Sequence, residues 1–329
     1  MEELLEAVAK VSKDVKAAAR TLSDREARFL VDLYYSMQNQ RIRSDAQARS
    51  LYEDQEPNLT FQHFGQSFEK LETQVKSVLD AYTQAHTMGG WMREIYGMGP
   101  VLSAGLLAYI DIEQCPTVGH IWAYAGLDPN RYWHGREKIK RFVSNQELGQ
   151  KSQITEDQLM ELMVRVAEYV GIKPQNFIDQ VNKLEGGLTV ANIEAIGARR
   201  PWNAILKTLC WKIGQSFLKQ NPQKCPYRAI YDKRKLYEME KNLGGAYADQ
   251  AKSILEAKNI GKTTEAYKAY SIGQLPQAHI NQRCERYAVK QFLADLHAVW
   301  YEKHFGKPAP LPYPIAILGH AHLRKVGEA

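Results

Sequence analysis

The sequence predicts an all-α protein, in which a helical coiled-coil region precedes a larger helical domain that contains a helical insert. Three observations support this fold class. Apolar residues recur at helical spacing over long stretches, capping boxes stand directly before such stretches, and no clear period-two alternation typical of strands occurs. A chain of 329 residues is long enough to bury a core and to form two or three domains.

Residues 1–60 are predicted to form an N-terminal helical region. Ser23 and Glu26 have the spacing of a capping box, in which each side chain satisfies a free backbone amide of the other. The apolar residues that follow keep 3-4 spacing, which predicts a helix from about residue 23 into the forties.

Residues 61–90 are predicted to form a coiled-coil helix. Their apolar residues hold a 3-4 spacing over three heptads: Phe61, Phe64, Phe68, Leu71, Val75, Val78 and Tyr82. Two interpretations remain open. The stripe could pair two copies of the chain in a homodimer, or it could pack inside its own monomer, because a two-helix hairpin uses the same pattern.

Residues 91–329 are predicted to form the main domain, with a helical insert at about 150–192 that begins with a second capping box, Thr155 and Gln158. Near its start, Gly97-Met98-Gly99-Pro100 has the form of a helix-hairpin-helix turn. In such a turn, the glycines and the backbone amides of the next helix can contact a nucleic-acid phosphate. The alternative is a tight turn between two core helices.

Basic residues are concentrated locally, although the net charge is only +6. Residues 131–141 hold five basic residues, two aromatic residues and one acid, and residues 199–235 hold ten basic residues and one acid. Cations can hold an RNA backbone while aromatic rings stack on unpaired bases, whereas a solvated loop would explain the charges alone. The predicted RNA-binding residues are Arg131, Tyr132, Trp133, His134, Arg136, Lys138, Lys140, Arg141, Arg199, Arg200, Trp202, Lys207, Lys212, Arg228, Tyr231, Lys233, Arg234, Arg283, Arg286 and Lys290.

Catalytic and metal-binding patterns are weak in this sequence, and we predict no catalytic residue, metal or cofactor. Asp111 and Glu113 are the nearest approach to a metal-binding carboxylate pair, but Asp111 is better explained as a helix end. His320 and His322 lack further ligands. The four cysteines are far apart and predict free thiols. No apolar stretch is long enough to span a membrane, so we expect a cytoplasmic protein.

Several segments together resemble a known family. The runs FEKLETQVKSVLDAYTQ, IYGMGPVLSAGLLAYIDI and IWAYAGLDPNRYWHG, and later ARRPWNAILKTLCWKIGQSFL, PYRAIYDKRK and ERYAVKQFLADLHAVWYEKHFGK, resemble in order the coiled coil and C-terminal domain of insertion-sequence transposases guided by a bridge RNA. That domain is related to the Nop domain of box C/D ribonucleoproteins, which implies a Nop-like helical domain here.

Two departures separate the chain from the transposase pattern. Only about sixty residues precede the coiled coil, where the transposases carry a RuvC-like domain, and no serine nucleophile follows Gly126-Leu127-Asp128-Pro129 before Ser144. The chain therefore resembles the nuclease-free Tas proteins of tandem interspaced guide RNA systems of phages and bacteria. This resemblance implies two partners, a guide RNA and a target DNA, and no nuclease activity. The alternatives are a divergent RNA-guided recombinase and a Nop-like RNA-assembly protein that does not bind DNA.

Overall fold

The computed structural model describes residues 11–52, 59–146, 154–317 and 324–328 of the chain. These residues form helices, turns and loops, and no strand is found among them. The prediction of an all-α fold is confirmed.

The helices follow one another with short connections. In chain order they are α1 (Lys13–Ala19), α2 (Asp24–Tyr52), α3 (Leu59–Ala85), α4 (Gly89–Glu94), α5 (Pro100–Tyr109), the 3-10 helix η1 (Ile112–Gln114), α6 (Val118–Tyr124), α7 (Arg136–Ser144), α8 (Glu156–Val170), α9 (Pro174–Asn182), α10 (Val190–Gly197), α11 (Ala204–Leu218), α12 (Pro226–Leu243), α13 (Ala248–Ala257), α14 (Glu265–Ser271), α15 (Gln277–Phe305) and α16 (Tyr313–Ala316).

The chain divides into two compact units. Unit 1 combines Met1–Ile121 with Thr208–Ala329, and unit 2 is the continuous segment Trp122–Lys207. The described part of the predicted insert lies inside unit 2. Unit 2 extends beyond the insert at both ends.

In unit 1, α2 packs along α3, both helices contact α5, and α12 packs against α15. The capping box predicted at the start of α2 is present, because the Ser23 amide donates to the Glu26 carboxylate at 2.8 Å and the Glu26 amide donates to Ser23 Oγ at 3.4 Å. A buried aromatic cluster joins α11, α12 and α15, with ring centroids 5.0–5.4 Å apart among Phe217, Tyr227 and Phe292. These contacts give unit 1 its own core.

The apolar stripe of α3 is divided along its length. Val75 and Tyr82 are buried inside their own unit, and Phe68 and Val78 are partly buried, whereas Phe64 and Leu71 are exposed. The side chain of Phe61 lies outside the described residues. The buried half fits the hairpin alternative of the sequence interpretation, and dimerisation through the exposed half stays a prediction.

Unit 2 has a separate hydrophobic core. Helices α7, α8, α9 and α10 contact one another, and the capping box of Thr155 and Gln158 starts α8 as predicted. The core is apolar throughout: Ile139, Val143, Leu162, Met163, Val166, Ala167, Phe177, Val181, Ile193 and Ile196 are buried in it.

Candidate nucleic-acid interface

The loop between α6 and α7 carries the first group of predicted RNA-binding residues. It leaves α6 through Gly126, whose φ of +66° is in the left-handed region that favours glycine. A Cβ at Gly126 would also lie 2.7 Å from the Trp202 indole. The loop can therefore fold back closely on the segment that follows α10.

Trp133 is fixed in this loop by two contacts. Its indole Nε1–H donates to the carbonyl of Ala198 at 2.9 Å, and the Arg200 guanidinium lies 4.4 Å from the ring centroid. The side chain still exposes 45% of its surface. Trp133 is thus oriented in advance, with Arg200 held beside it.

Tyr132 is the most exposed ring of the loop, with 69% of its surface accessible. No hydrogen bond or ring contact joins it to another residue within the described ranges. His134 lies instead against Tyr169, with ring centroids 4.4 Å apart. Of these two side chains, Tyr132 is the one whose ring faces are open to a base.

Helix α7 continues the loop as an amphipathic helix. Ile139 and Val143 are buried in the core of unit 2, while the opposite side is basic and includes one acid, Glu137. Four cations on it are exposed: Arg136, Lys138, Lys140 and Arg141. We refer to these four residues together with Tyr132, Trp133, Arg199 and Arg200 as the basic edge of unit 2.

Three other predicted residues of unit 2 have partners within the unit. Arg131 lies 3.8 Å from the Asp128 carboxylate and donates to the carbonyl of Pro201 at 3.4 Å. Lys207 places its ammonium 3.9 Å from the Trp202 ring centroid. Trp202, between Gly126 and Lys207, therefore has a packing role in the structure.

In unit 1, an acid from α12 neutralises two of the predicted cations. Glu238 is fully buried, forms an ion pair with Arg234, and lies 3.1 Å from Arg283. Tyr247 donates a hydrogen bond to the same carboxylate. Burial raises the pKa of Glu238, but the hydrogen bond from Tyr247 and the two arginines outweigh it, so the pKa lies below its ordinary value.

The remaining predicted residues of unit 1 differ in accessibility. Tyr231 is buried and donates to Asn281 at 3.2 Å, and Arg228 binds Asp232 at 2.9 Å. These two side chains are engaged within the fold. Lys233 and Arg286 are exposed, and Lys290 is partly exposed.

The predicted phosphate turn lies between α4 and α5. Gly97 has a φ of +95°, and a Cβ there would lie 3.1 Å from Phe217, while Ser216 donates to the Gly97 carbonyl at 2.7 Å. Gly99 is the N-cap of α5, and no side chain caps this helix start. The turn packs against α11 and also borders a cavity of about 730 Å³. Phosphate contact at Gly97 and Gly99 stays a prediction.

Sequence reasoning missed most residues of this cavity. Besides Gly97, Gly99 and Lys212, it is lined by Tyr34, Tyr35, Lys76, Trp211 and Lys219. The two tyrosines and Lys76 lie on the α2–α3 hairpin, far away in sequence, where the apolar spacing indicated core. Trp211 beside Lys212 was the one local signal.

The two candidate catalytic carboxylates, Asp111 and Glu113, have other partners in the structure. Asp111 caps η1 by accepting from the Glu113 amide at 3.0 Å, and Glu113 lies 3.3 Å from His304. No group of three or more metal-ligating side chains occurs within the described ranges. His320 and His322 lie outside them. The four cysteines are free, as predicted, and the structure shows that they are also buried. Burial raises the pKa of Cys115 and Cys284 to about 11.

Comparison with known families gives a match over part of the chain. Residues 91–147, which contain the phosphate turn and the loop of Tyr132 and Trp133, are similar to the family described as Transposase IS116/IS110/IS902 family. This part of the chain is therefore transposase-like. No curated protein and no solved structure matches the chain. None of the helices within the described ranges is both long and apolar enough to cross a membrane.

Proposed function

We propose that this chain binds a guide RNA along the basic edge of unit 2 and carries it to a complementary DNA. In this proposal the chain is a nuclease-free Tas-type protein with a Nop-like RNA-binding domain, and it acts in the cytoplasm of a cell or of a phage-infected cell. Target sequence is read by base pairing with the guide, while the protein holds the RNA by its shape and backbone.

One observation carries the proposal: an open aromatic ring lies next to a row of exposed cations. Tyr132 exposes 69% of its surface, and the cations of α7 follow it within one short loop. Cations alone would suit any polyanion. A site for single-stranded nucleic acid also needs an aromatic face, because unpaired bases stack on it.

The transposase-like segment also supports this proposal, since it contains both the loop of Tyr132 and Trp133 and the phosphate turn. The exposed Phe64 and Leu71 of α3 offer an apolar surface through which two copies could pair, and a homodimer would hold two guides or two DNA sites. These assignments extend the proposal to the partners of the complex.

The experiment is to express the chain with its native flanking DNA, purify it through a stringent salt wash, and sequence the RNA that remains bound. The expected result is one short, discrete RNA encoded near the gene. A variant with Arg136, Lys138, Lys140 and Arg141 changed to Gln provides the matched control, because it should lose that RNA while keeping the buried face of α7. Recovery of random cellular RNA, or equal recovery by the variant, would refute the proposal.

A second candidate is a divergent RNA-guided recombinase, which the transposase-like segment favours. It predicts Mg²⁺-dependent cleavage of DNA in the presence of the bound RNA, and loss of cleavage in Asp111→Asn or Glu113→Gln. Binding of the complementary duplex without cleavage would exclude this candidate and leave the nuclease-free function.

A further inference from the structure

The cavity beside the phosphate turn is formed within unit 1 by side chains from α2, α3 and α11 and by the start of α5. Its volume of about 730 Å³ is in the range of about 300–1,000 Å³ that small-molecule sites occupy. It is thus large enough for a nucleotide.

The charge of the cavity is one-sided. Three lysines line it, Lys76, Lys212 and Lys219, and none of its described lining residues carries a carboxylate. Two nearby acids are not part of the lining: Glu72 forms an ion pair with Arg41 at 2.7 Å, and Glu285 accepts a hydrogen bond at 2.9 Å from the lining residue Gln215. The cavity therefore favours an anion.

One of these lysines is held in place by an aromatic ring. The Lys212 ammonium lies 3.0 Å from the ring centroid of Tyr35, and burial lowers the pKa of Lys212 below its ordinary value. A phosphate would supply the counter-charge that this partly buried ammonium lacks among the lining residues.

The cavity also offers a stacking surface. Trp211 exposes 56% of its surface and lines the cavity next to Lys212. Gly99, which also lines the cavity, has an ordinary φ of −83°, and nothing within the described ranges lies within 4 Å of where its Cβ would be. The missing side chain leaves the uncapped start of α5 open to the cavity, where backbone amides can meet a phosphate.

We infer that this cavity binds one nucleotide, with the phosphate between Lys212, Lys219 and the start of α5 and the base on Trp211. The nucleotide belongs either to a bound RNA strand or to a free mononucleotide, which share this chemistry. The first source rests on the proposed RNA-binding function, and the second does not.

The test uses the full chain and four variants. Lys212→Gln, Lys219→Gln and Trp211→Ala remove cavity groups, and Lys262→Gln removes an exposed lysine elsewhere in unit 1 as the control. The probes are a fluorescein-labelled single-stranded RNA, followed by anisotropy over a series of salt concentrations, and unlabelled GMP and AMP, followed by calorimetry. Because Lys219 is exposed, its variant tests the cavity even if Lys212→Gln were to disturb folding.

If the strand occupies the cavity, Lys219→Gln should weaken RNA binding about fivefold at 0.1 M salt and reduce the slope of log K against log salt by about 0.7. Trp211→Ala should weaken it at least about fivefold, and Lys262→Gln should match the wild type. If all three cavity variants bind RNA as tightly as the wild type and no mononucleotide binds, the inference is overturned and the proposed function stays intact.

If the wild type binds no RNA, the proposed function fails and calorimetry alone decides about the cavity. Mononucleotide binding that Lys219→Gln loses would then support a free-nucleotide site. Failure of the wild type to bind GMP or AMP would overturn the cavity inference as well.

Discussion

Replacing Tyr132 by Ala removes a ring that makes no hydrogen bond and no ring contact within the described ranges, so its effect on RNA binding can be separated from effects on folding. The side chain is 69% exposed, and substitutions at such sites usually change the free energy of unfolding by no more than about 0.5 kcal/mol. If the ring stacks on a base, its loss should weaken RNA binding by about 1–3 kcal/mol, which corresponds to about a five- to 150-fold increase in Kd.

Trp133→Ala is the less informative change. It also removes the indole hydrogen bond to Ala198 and the contact with Arg200, which together should lower the free energy of unfolding by about 1–2 kcal/mol. A loss of RNA binding in that variant would therefore mix two causes.

The assay is fluorescence anisotropy with a labelled single-stranded RNA at fixed salt, combined with urea unfolding of each variant. Tyr132→Trp should keep the affinity because it keeps an aromatic face. Phe29→Ala serves as the control, since Phe29 is 67% exposed and lies on α2, outside the basic edge. A Kd of Tyr132→Ala equal to that of Phe29→Ala would refute the assignment of Tyr132 as a stacking residue.

Three further predictions concern stability and are checked by urea unfolding. Glu238→Gln should lower the free energy of unfolding by about 2 kcal/mol, because Arg234 and Arg283 lose their buried counter-charge. The pKa of Glu238 is lowered in the folded state. The wild type should therefore lose this stabilisation as the pH falls below about 4.5, whereas the variant should show no such loss. Gly214→Ala should cost at least about 1 kcal/mol, because a Cβ there would lie 2.5 Å from Glu285, whereas Gly90→Ala, with open space around it, should not; equal stability of the two variants would contradict this close contact. Three histidines have pKa values lowered chiefly by burial: His86, His279 and His297. The unfolded chain therefore takes up more protons below about pH 6.5, and stability should fall as pH drops from 7 to 5; an unfolding free energy that stays constant over this range would contradict the assignment.

Local signals in the sequence predicted the helices well. Both capping boxes are present, because a side chain and an amide three residues apart need no long-range information to find each other. The apolar spacing of α8 likewise predicted its buried face, where Leu162, Met163 and Val166 lie. Helix α7 was not predicted, because the basic residues of 131–141 also fit a solvated loop. The predicted features depend on contacts within one helix turn or one helix face.

Long-range pairing could not be predicted in the same way. Residues 199–235 hold ten basic residues and one acid. That count did not include Glu238, which lies just outside these residues and pairs with Arg234 and Arg283. Similarly, Tyr35 and Lys212 are 177 positions apart, and only the packing of α2 near α11 brings them together. Counting charges along a sequence does not reveal which cations already have a partner.

The two ends of unit 2 are tied to each other. The Asn203 amide donates to the carbonyl of Tyr124 at 2.9 Å, and the Asn203 side chain donates to the Tyr124 hydroxyl at 2.9 Å. Unit 1 must join two stretches of chain that Trp122–Lys207 separates. Once unit 2 has folded, the loop that must close between these two stretches is a handful of residues long instead of roughly eighty. This is about four halvings of loop length, at about 0.6 kcal/mol each, so the entropic cost of closing the loop falls by roughly 2.4 kcal/mol. From this connectivity we expect unit 2 to form first from local contacts and its folded state to accelerate the assembly of unit 1.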